Sequence, residues 1–433
     1  MKQARADLKQ IAVRMIDLSE PIGQLDDVSN YRSARVFVMW KDHLLGRVDV
    51  PTHRQTVSAM RLRDAIVDAL GPRLINAILR ERYALEGESA DGEAAQLPAS
   101  VSVSVVVATR DRPDDLRRCL NSLVAQQSVR HIEIIVVDNN PASGLTPIVV
   151  AEFPRVMLVA EKRKGLSYAR NRGIAASTGD IIIATDDDVT APADWIEKLI
   201  APFNDPNVAI VTGNVLPLEL ETRAQCLFEM YGGLGRGFER RVFSRDWFDQ
   251  FRTAVATWEI GATANAAFRA AIFHHPEIGL FDESLGAGTH TGCSEDTYLF
   301  YRTLKAGFTI VYEPSAYVWH KHRREMKSLR RQLYNYSKGH VAYHLLTLLS
   351  EHDRRALVRL CLRLPQEHLR RIFTRLRGRS DYPLSLLLLE MAGNLAGPLA
   401  LWRARRQVKR EGPSEPYVPA SERAIAVQGH CSD

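Results

Sequence analysis

The most constraining feature of this sequence is an alternation between residues 101 and 212. Short runs rich in Val and Ile, at 101–107, 132–137, 156–160, 181–184 and 208–212, are separated by amphipathic stretches at 114–126, 167–177 and 193–203. Strand and helix alternating at this spacing imply an α/β unit, a parallel sheet covered by helices on both faces. In such a sheet the binding crevice lies outside the carboxyl ends of the strands, so the polar residues there carry the information about function. They are Thr109, Arg110 and Asp111 after the first run, Asp138 and Asn139 after the second, and Asp186, Asp187 and Asp188 after the fourth.

The flanks differ in texture. Residues 1–85 read as a small α+β module, with a hairpin through Val36, Val38, Trp40, Val48 and Val50. A helical pattern follows at Met60, Leu62, Ile66 and Leu70, is expected to break at Gly71 and Pro72, and resumes at Leu74. No chemistry is evident in this module. Residues 86–100 turn to Gly, Ala, Ser, Glu and Pro without apolar period, as a linker does. A core unit is then expected over 101–322, a helical basic region over 323–411 and a disordered tail over 412–433.

Charge follows the same division. The net +6 of the 433-residue chain is local: residues 320–411 hold 21 Lys/Arg against 7 Asp/Glu, whereas residues 1–319 hold 35 against 41. Arginine pairs at 330–331, 354–355 and 370–371 are interleaved with leucines. This suits amphipathic helices, either lying on an anionic membrane surface or packed on the core with a solvated basic face, and the solvated face is the preferred reading. Uncharged runs at 341–350 and 391–402 fall short of the roughly 18–20 residues of a spanning helix, and Glu390 interrupts the longer zone. No nucleic-acid module or row of stacking aromatics accompanies the arginines, so no nucleic-acid partner is expected. The five cysteines are odd in number and widely spaced, and the opening residues Met1–Asp7 lack an apolar segment. A reducing, cytoplasmic setting is expected, with peripheral contact at the inner membrane face as its extension.

Three consecutive aspartates ending an apolar strand are the sharpest chemical feature, because adjacent carboxylates repel and a cation relieves the cost. Oxygen ligands favour Mg²⁺ or Mn²⁺ over zinc. The bland alternative is that one of them caps the following helix. Asp138 at a strand end either accepts hydrogen bonds from a nucleotide base or ribose or is a turn residue. His320, closing the apolar run 311–319, reads either as a third metal ligand from a distant part of the chain or as structural, with His322 in reserve.

Six segments in order resemble family 2 glycosyltransferases: VSVVVATRDRP, the VVD ending at Asp138, GLSYARNRG at 165–173, the Asp186–Asp188 triplet, ANAAFR at 264–269 and SED at 294–296. The resemblance covers residues 98–322 and implies a GT-A fold, Rossmann-like with a mostly parallel sheet. It also implies a nucleotide-diphosphate sugar donor, a divalent metal, Mn²⁺ or Mg²⁺, and inverting transfer to an acceptor hydroxyl on a glycan, a lipid-linked carrier or a small molecule, in glycan or polysaccharide synthesis. By the same resemblance Thr109, Arg110, Asp111 and Asp138 hold base and ribose, and Asp186 and Asp188 hold donor and metal. Arg170 adds positive charge there or forms a surface ion pair. Asp296 matches the base that takes the acceptor proton, with Glu295 beside it; both acids also suit a helix N-terminus. Asn265 and Arg269 match the acceptor-side motif. Two other readings remain at this point: a silent nucleotide-sugar-binding scaffold, and a sugar-phosphate nucleotidyltransferase, which would want a glycine-rich phosphate loop where Thr109–Pro113 has no glycine.

Overall fold

In the computed structural model, which describes residues 10–41, 43–83 and 97–423, the chain builds two separate sheets. The first contains β1 (Ile11–Asp17), β2 (Ser33–Trp40) and β3 (His43–Pro51). β2 and β3 form the expected hairpin, while β1, which lacks a clear alternation in sequence, pairs parallel to β2. α1 (Ala59–Arg82) starts where the Ser58 hydroxyl accepts the Arg61 amide and lays Leu62, Ile66 and Leu70 on the sheet. It does not break at Gly71 and Pro72 as expected. Leu70 and Leu74 on either side keep the apolar face on the sheet, and that burial outweighs the hydrogen bond lost at proline. The first sheet rests on the rest of the molecule through Phe37, whose ring meets Trp319 edge-on at 5.6 Å. Most of the expected linker at 86–100 lies outside the described residues.

The second sheet has nine strands, and the sequence supplies them in the expected alternation. β4 (Val103–Thr109), α2 (Pro113–Val124), β5 (Ile132–Asp138), α3 (Leu145–Val150), β6 (Val156–Ala160), α4 (Leu166–Ala176) and β7 (Ile181–Asp186) form the parallel half. β8 (Val189–Thr190), α5 (Trp195–Ile200), β9 (Val208–Pro217), α6 (Arg223–Tyr231), β10 (Arg241–Phe243), α7 (Arg245–Asp249), β11 (Asn265–Arg269), α8 (Glu295–Lys305) and β12 (Thr309–His320) complete it. The order is β10-β12-β9-β11-β7-β4-β5-β6, with β8 beside β12. Because β11 is antiparallel to both its neighbours, β9 and β12 again run with β7, so the sheet is mostly parallel. Alternate residues of each strand go to opposite cores: Val105 and Val107 pack with Leu116 and Leu120 of α2, and Val106 and Ala108 with Phe268 and Leu299.

The basic region is helical: α9 (Met326–Leu349), α10 (Arg355–Val358), which runs through a π turn into α11 (Leu364–Leu376), and α12 (Leu384–Glu411). α12 is the one described helix long and apolar enough to cross a membrane. The sequence hid this by splitting its apolar stretch at Glu390, whose charge is met in the fold by Arg371 at 2.6 Å. Residues 412–423, expected to be disordered, lie on the core instead: Tyr417 is buried against Phe273, and the Arg423 guanidinium donates to the carbonyls of Ala175 and Ser177. The remainder of the tail is outside the described residues. The four described cysteines are free.

Candidate active site

Strand register gathers the polar strand ends. Thr109 pairs with Asp138 and Ala108 with Asp186, so the carboxyl ends of β4, β5 and β7 share one rim. A cavity of about 1150 Å³ opens over it, and Thr109, Arg110, Arg112, Arg170, the three aspartates, Glu295, Asp296 and His320 all line it. Elements separated by as much as 211 residues of chain, from Thr109 to His320, therefore present acids and guanidiniums to one space.

The three aspartates point in different directions. Asp187 accepts from the Thr109 hydroxyl at 2.7 Å and from Arg112 Nη1 at 2.9 Å. The same Arg112 nitrogen donates to Asp188 at 2.9 Å, and the other Asp188 oxygen faces His320 Nε2 at 3.3 Å. Asp186 accepts from Arg170 Nη2 at 2.8 Å. Burial pushes the Asp187 carboxyl up to about 6 against the pull of Arg112. Burial acts on Asp188 in the same sense, but His320 and Arg112 outweigh it and hold that group well below the usual carboxylate range. None of the triplet caps a helix; α5 follows Asp194 without a side-chain cap. The ligand atoms of Asp186, Asp188 and His320 lie within 4.8 Å of one another, a spacing one divalent cation can span.

His320 is placed there by a bulge in β12. Pairing with β9 slips between Glu313 and Tyr317, and Asn265 Nδ2 ties the slip by donating to Asn214 O and Ala316 O, each at 2.8 Å. Beyond the slip β12 reaches β8 and sets His320 opposite Val189, next to Asp188. A buried chain then runs outward: His320 Nδ1 to His322 Nδ1 at 2.8 Å, His322 Nε2 to Glu229 at 3.1 Å, and Glu229 to Arg35 of β2 at 2.6 Å. Burial lowers the His322 pKa and so favours the neutral ring, while the carboxylate of Glu229 calls for a donor at Nε2. His322 therefore carries its proton on Nε2 and accepts at Nδ1, His320 donates from Nδ1, and His320 Nε2 is the nitrogen turned to Asp188. The first sheet, silent in sequence, thus supplies the outermost charge of this chain. Glu229→Gln is expected to weaken Mn²⁺ binding by about tenfold, the lower end for outer partners of metal-bound imidazoles. Titration followed by electron paramagnetic resonance of free Mn²⁺ checks this, and an unchanged affinity removes the chain from any metal role.

Arg170 is almost fully buried and bridges the two acidic groups, donating to Asp186 at 2.8 Å and to Glu295 at 2.7 Å. It reaches there because Gly173 lets α4 sit on the sheet; a Cβ at that position would lie 2.3 Å from Val106 Cγ1. The surface ion pair left open for Arg170 is thereby excluded. Burial and Asp296 together push the Glu295 carboxyl up to about 7 against Arg170. Asp296 is less buried, and its carboxylate accepts from the Thr297 amide at 2.7 Å and the Thr263 amide at 3.4 Å. The turn into α8 is strained at Ser294, φ +77°, and depends on glycine at Gly292, φ +87°. A Cβ on Gly292 would also meet Asn335 Cβ at 2.7 Å. Gly292→Ala is expected to cost about 1–3 kcal/mol, measured by chemical denaturation.

Not every residue singled out in sequence faces the cavity. Asp138 is buried behind the rim, where one carboxylate oxygen accepts the Asn140 amide at 2.9 Å and the other has no partner. Asp111, at φ +58°, accepts from Asn140 Nδ2 outside the cavity lining, and Arg110 donates to the Asn139 carbonyl. Asn265 and Arg269, read as acceptor-side residues, are turned into the sheet: Asn265 ties the β12 bulge and accepts from Trp195 Nε1, and Arg269 donates to Phe203, Asp205 and Val208 carbonyls. Arg112, Arg236, Trp258 and Arg323 line the cavity and were not singled out. Arg112 sat within the run already read at the first strand end; the others carry no local signal.

The sequence matches Glycosyl transferase family 2 over residues 104–257 and Glycosyl transferase family group 2 over residues 181–402. It is similar to a pre-mycofactocin glycosyltransferase of Mycobacterium tuberculosis, 30% identical over 57% of this chain and 48% of the relative. It also resembles a glucosyl-dolichyl phosphate glucuronosyltransferase of Haloferax volcanii, 27% identical over 51% of this chain and 69% of that protein. The chain thus spans about half the length of the mycobacterial relative it matches. A mannosyltransferase from Pyrobaculum calidifontis, solved with GDP-Man and Mn²⁺, aligns with a TM-score of 0.42 and 17% identity over 86% of this chain and 90% of that one. The second family match, with the ordered acids and the mostly parallel sheet that carries them, makes this chain a member of the family 2 group of glycosyltransferases.

Proposed function

We propose that this protein is an inverting glycosyltransferase that moves a sugar from a nucleotide-diphosphate donor to an acceptor hydroxyl in glycan synthesis. The observation that carries the reading is that a divalent-ion ligand set and a separate carboxylate pair line the same cavity. Asp186, Asp188 and His320 would hold the cation, and its chemistry when bound is Lewis-acid neutralisation of a departing diphosphate. Two carboxylates with one imidazole suit Mn²⁺ better than the strictly oxygen-seeking Mg²⁺. Thr109 and Arg110 at the rim offer a hydroxyl and a guanidinium to the base and ribose, with Asp138 behind them holding the Asn140 amide. Arg170 holds Asp186 and Glu295 at a fixed separation, and Arg112 and Arg323 add positive charge on the diphosphate side. Asp296, the more accessible acid of its pair, takes the proton of the acceptor hydroxyl.

The test is a thermal-shift series across nucleotide sugars, with and without Mn²⁺. One donor is expected to raise the melting temperature only with the metal, since a ligand held by the native state alone stabilises it, and to be consumed with an acceptor. Stabilisation without any turnover across hydroxyl acceptors would replace transfer by binding alone.

A further inference from the structure

α11 is folded inside out. Its polar residues Glu367, His368 and Arg371 line the cavity, while Leu362 at the preceding turn, Leu369, Phe373 and Leu376 are each more than half exposed, at 56%, 54%, 56% and 68%. α12 carries an exposed apolar stripe of the same spacing, although its inner side is mostly apolar, with Leu386, Leu387, Ala400 and Leu401 buried. Glu390 is buried, and Leu388, Leu395, Leu399 and Trp402 are exposed by 53%, 85%, 50% and 53%. Spacings of seven, four and three place each set on one helical stripe. Leaving such stripes in water is costly, because apolar surface is stabilised by removal from water. The borders of the stripes are cationic: Arg363, Arg370, Arg377 and Arg379 beside the first, and Arg403, Arg406, Lys409 and Arg410 at the end of the second, are exposed. Residues 355–411 hold 13 Lys/Arg and 4 Asp/Glu. The Arg406 guanidinium lies 4.7 Å from the Trp402 ring, an aromatic and basic pairing suited to a lipid headgroup layer.

We infer that the outer faces of α11 and α12 form a docking surface for an anionic phospholipid bilayer. Apolar stripes supply the insertion and the arginine border the attraction to negative headgroups. A second copy of this chain fits the surface poorly, since self-pairing would set the two basic borders against each other. Spanning by α12 is opposed by its seat on α9, where a Cβ on Gly393 would lie 2.7 Å from Tyr334 O and one on Gly397 2.6 Å from Val341 Cβ. Leaving that seat would also strip Glu390 of Arg371 and Tyr382. The inner sides of the same helices wall the cavity, so docking would set the cavity roughly one helix diameter, about 10 Å, from the lipid.

The experiment is co-sedimentation of the full chain with vesicles of phosphatidylcholine, with and without phosphatidylglycerol. The mixed vesicles are expected to bind at least about tenfold more protein, with the excess falling at high salt. Leu395→Glu combined with Leu376→Glu is expected to lower binding about tenfold or more without changing the melting temperature, because these are the most exposed side chains of the two stripes, at 85% and 68%. Replacing Arg403, Arg406 and Arg410 by Gln is expected to remove the preference for phosphatidylglycerol. Four results would overturn the inference: no sedimentation with the mixed vesicles, binding indifferent to both sets of substitutions, retention in the pellet after alkaline carbonate extraction, or a dimer that Leu395→Glu dissolves. Donor-induced thermal stabilisation, read on the same preparation, tests the catalytic reading separately, so either can fail alone.

Discussion

In Asp296→Asn, transfer is expected to fall by about 10²–10⁴-fold while affinity for the donor stays within about twofold, the range general-base removal produces. The substitution is nearly isosteric. Asn keeps an oxygen to accept the Thr297 amide, now 2.7 Å from the aspartate, so the start of α8 need not move. What disappears is the oxygen pair that can take a proton. Initial rates and donor titration on the same preparation check both halves. Loss of donor affinity alongside activity would reassign Asp296 to the donor side. Glu295→Gln provides the contrast: Glu295 holds Arg170, which also holds Asp186, so there donor affinity is expected to fall as well.

The second large effect separates the three adjacent aspartates. Asp188→Asn is expected to weaken Mn²⁺ binding by at least about 10²-fold and to remove metal-dependent donor stabilisation, because the buried one of its two charged ligands is lost from a three-residue set. Asp187→Asn is expected to leave Mn²⁺ affinity within about threefold, since its oxygens are taken by Thr109 and Arg112 and not by the ligand set. Calorimetric or resonance titration of the metal on each folded variant reads this directly. Equal losses in the two variants would show that the triplet acts as a diffuse negative patch and not through selected ligands.

That contrast shows where sequence reading stops. The triplet was legible as acids at a strand end, yet three identical neighbours on the chain offer no basis for choosing between them; the choice comes from what each carboxylate meets across space. His320 was left open between ligand and structure for the same reason. Its place beside Asp188 rests on a bulge tied by Asn265, and its ring is oriented through neighbouring His322 by Glu229 and Arg35, which come from two further parts of the chain. Asn265 itself was read as an acceptor contact, because a motif records that a residue belongs at a position without recording which way it points.

The basic helices make the same point about surfaces. Their period marked α11 and α12 as two-faced, and the ordinary preference for turning apolar faces inward led to the expectation of a solvated basic face. The arginines do face solvent, but large apolar side chains stand exposed among them, because the inner space along α11 is a polar cavity lined by Glu367, His368, Arg371 and Glu390.

By itself the sequence determined the strand–helix alternation, the mostly parallel sheet and the order of its acidic motifs, because backbone geometry imposes periods of two and 3.6 residues on local side-chain pattern. Only the tertiary structure decided which carboxylates share a cavity, which histidine nitrogen faces it, how the first sheet reaches it and which side of the last helices meets solvent. Those are contacts between distant segments, and their energies depend on separation in space, which local periodicity does not encode.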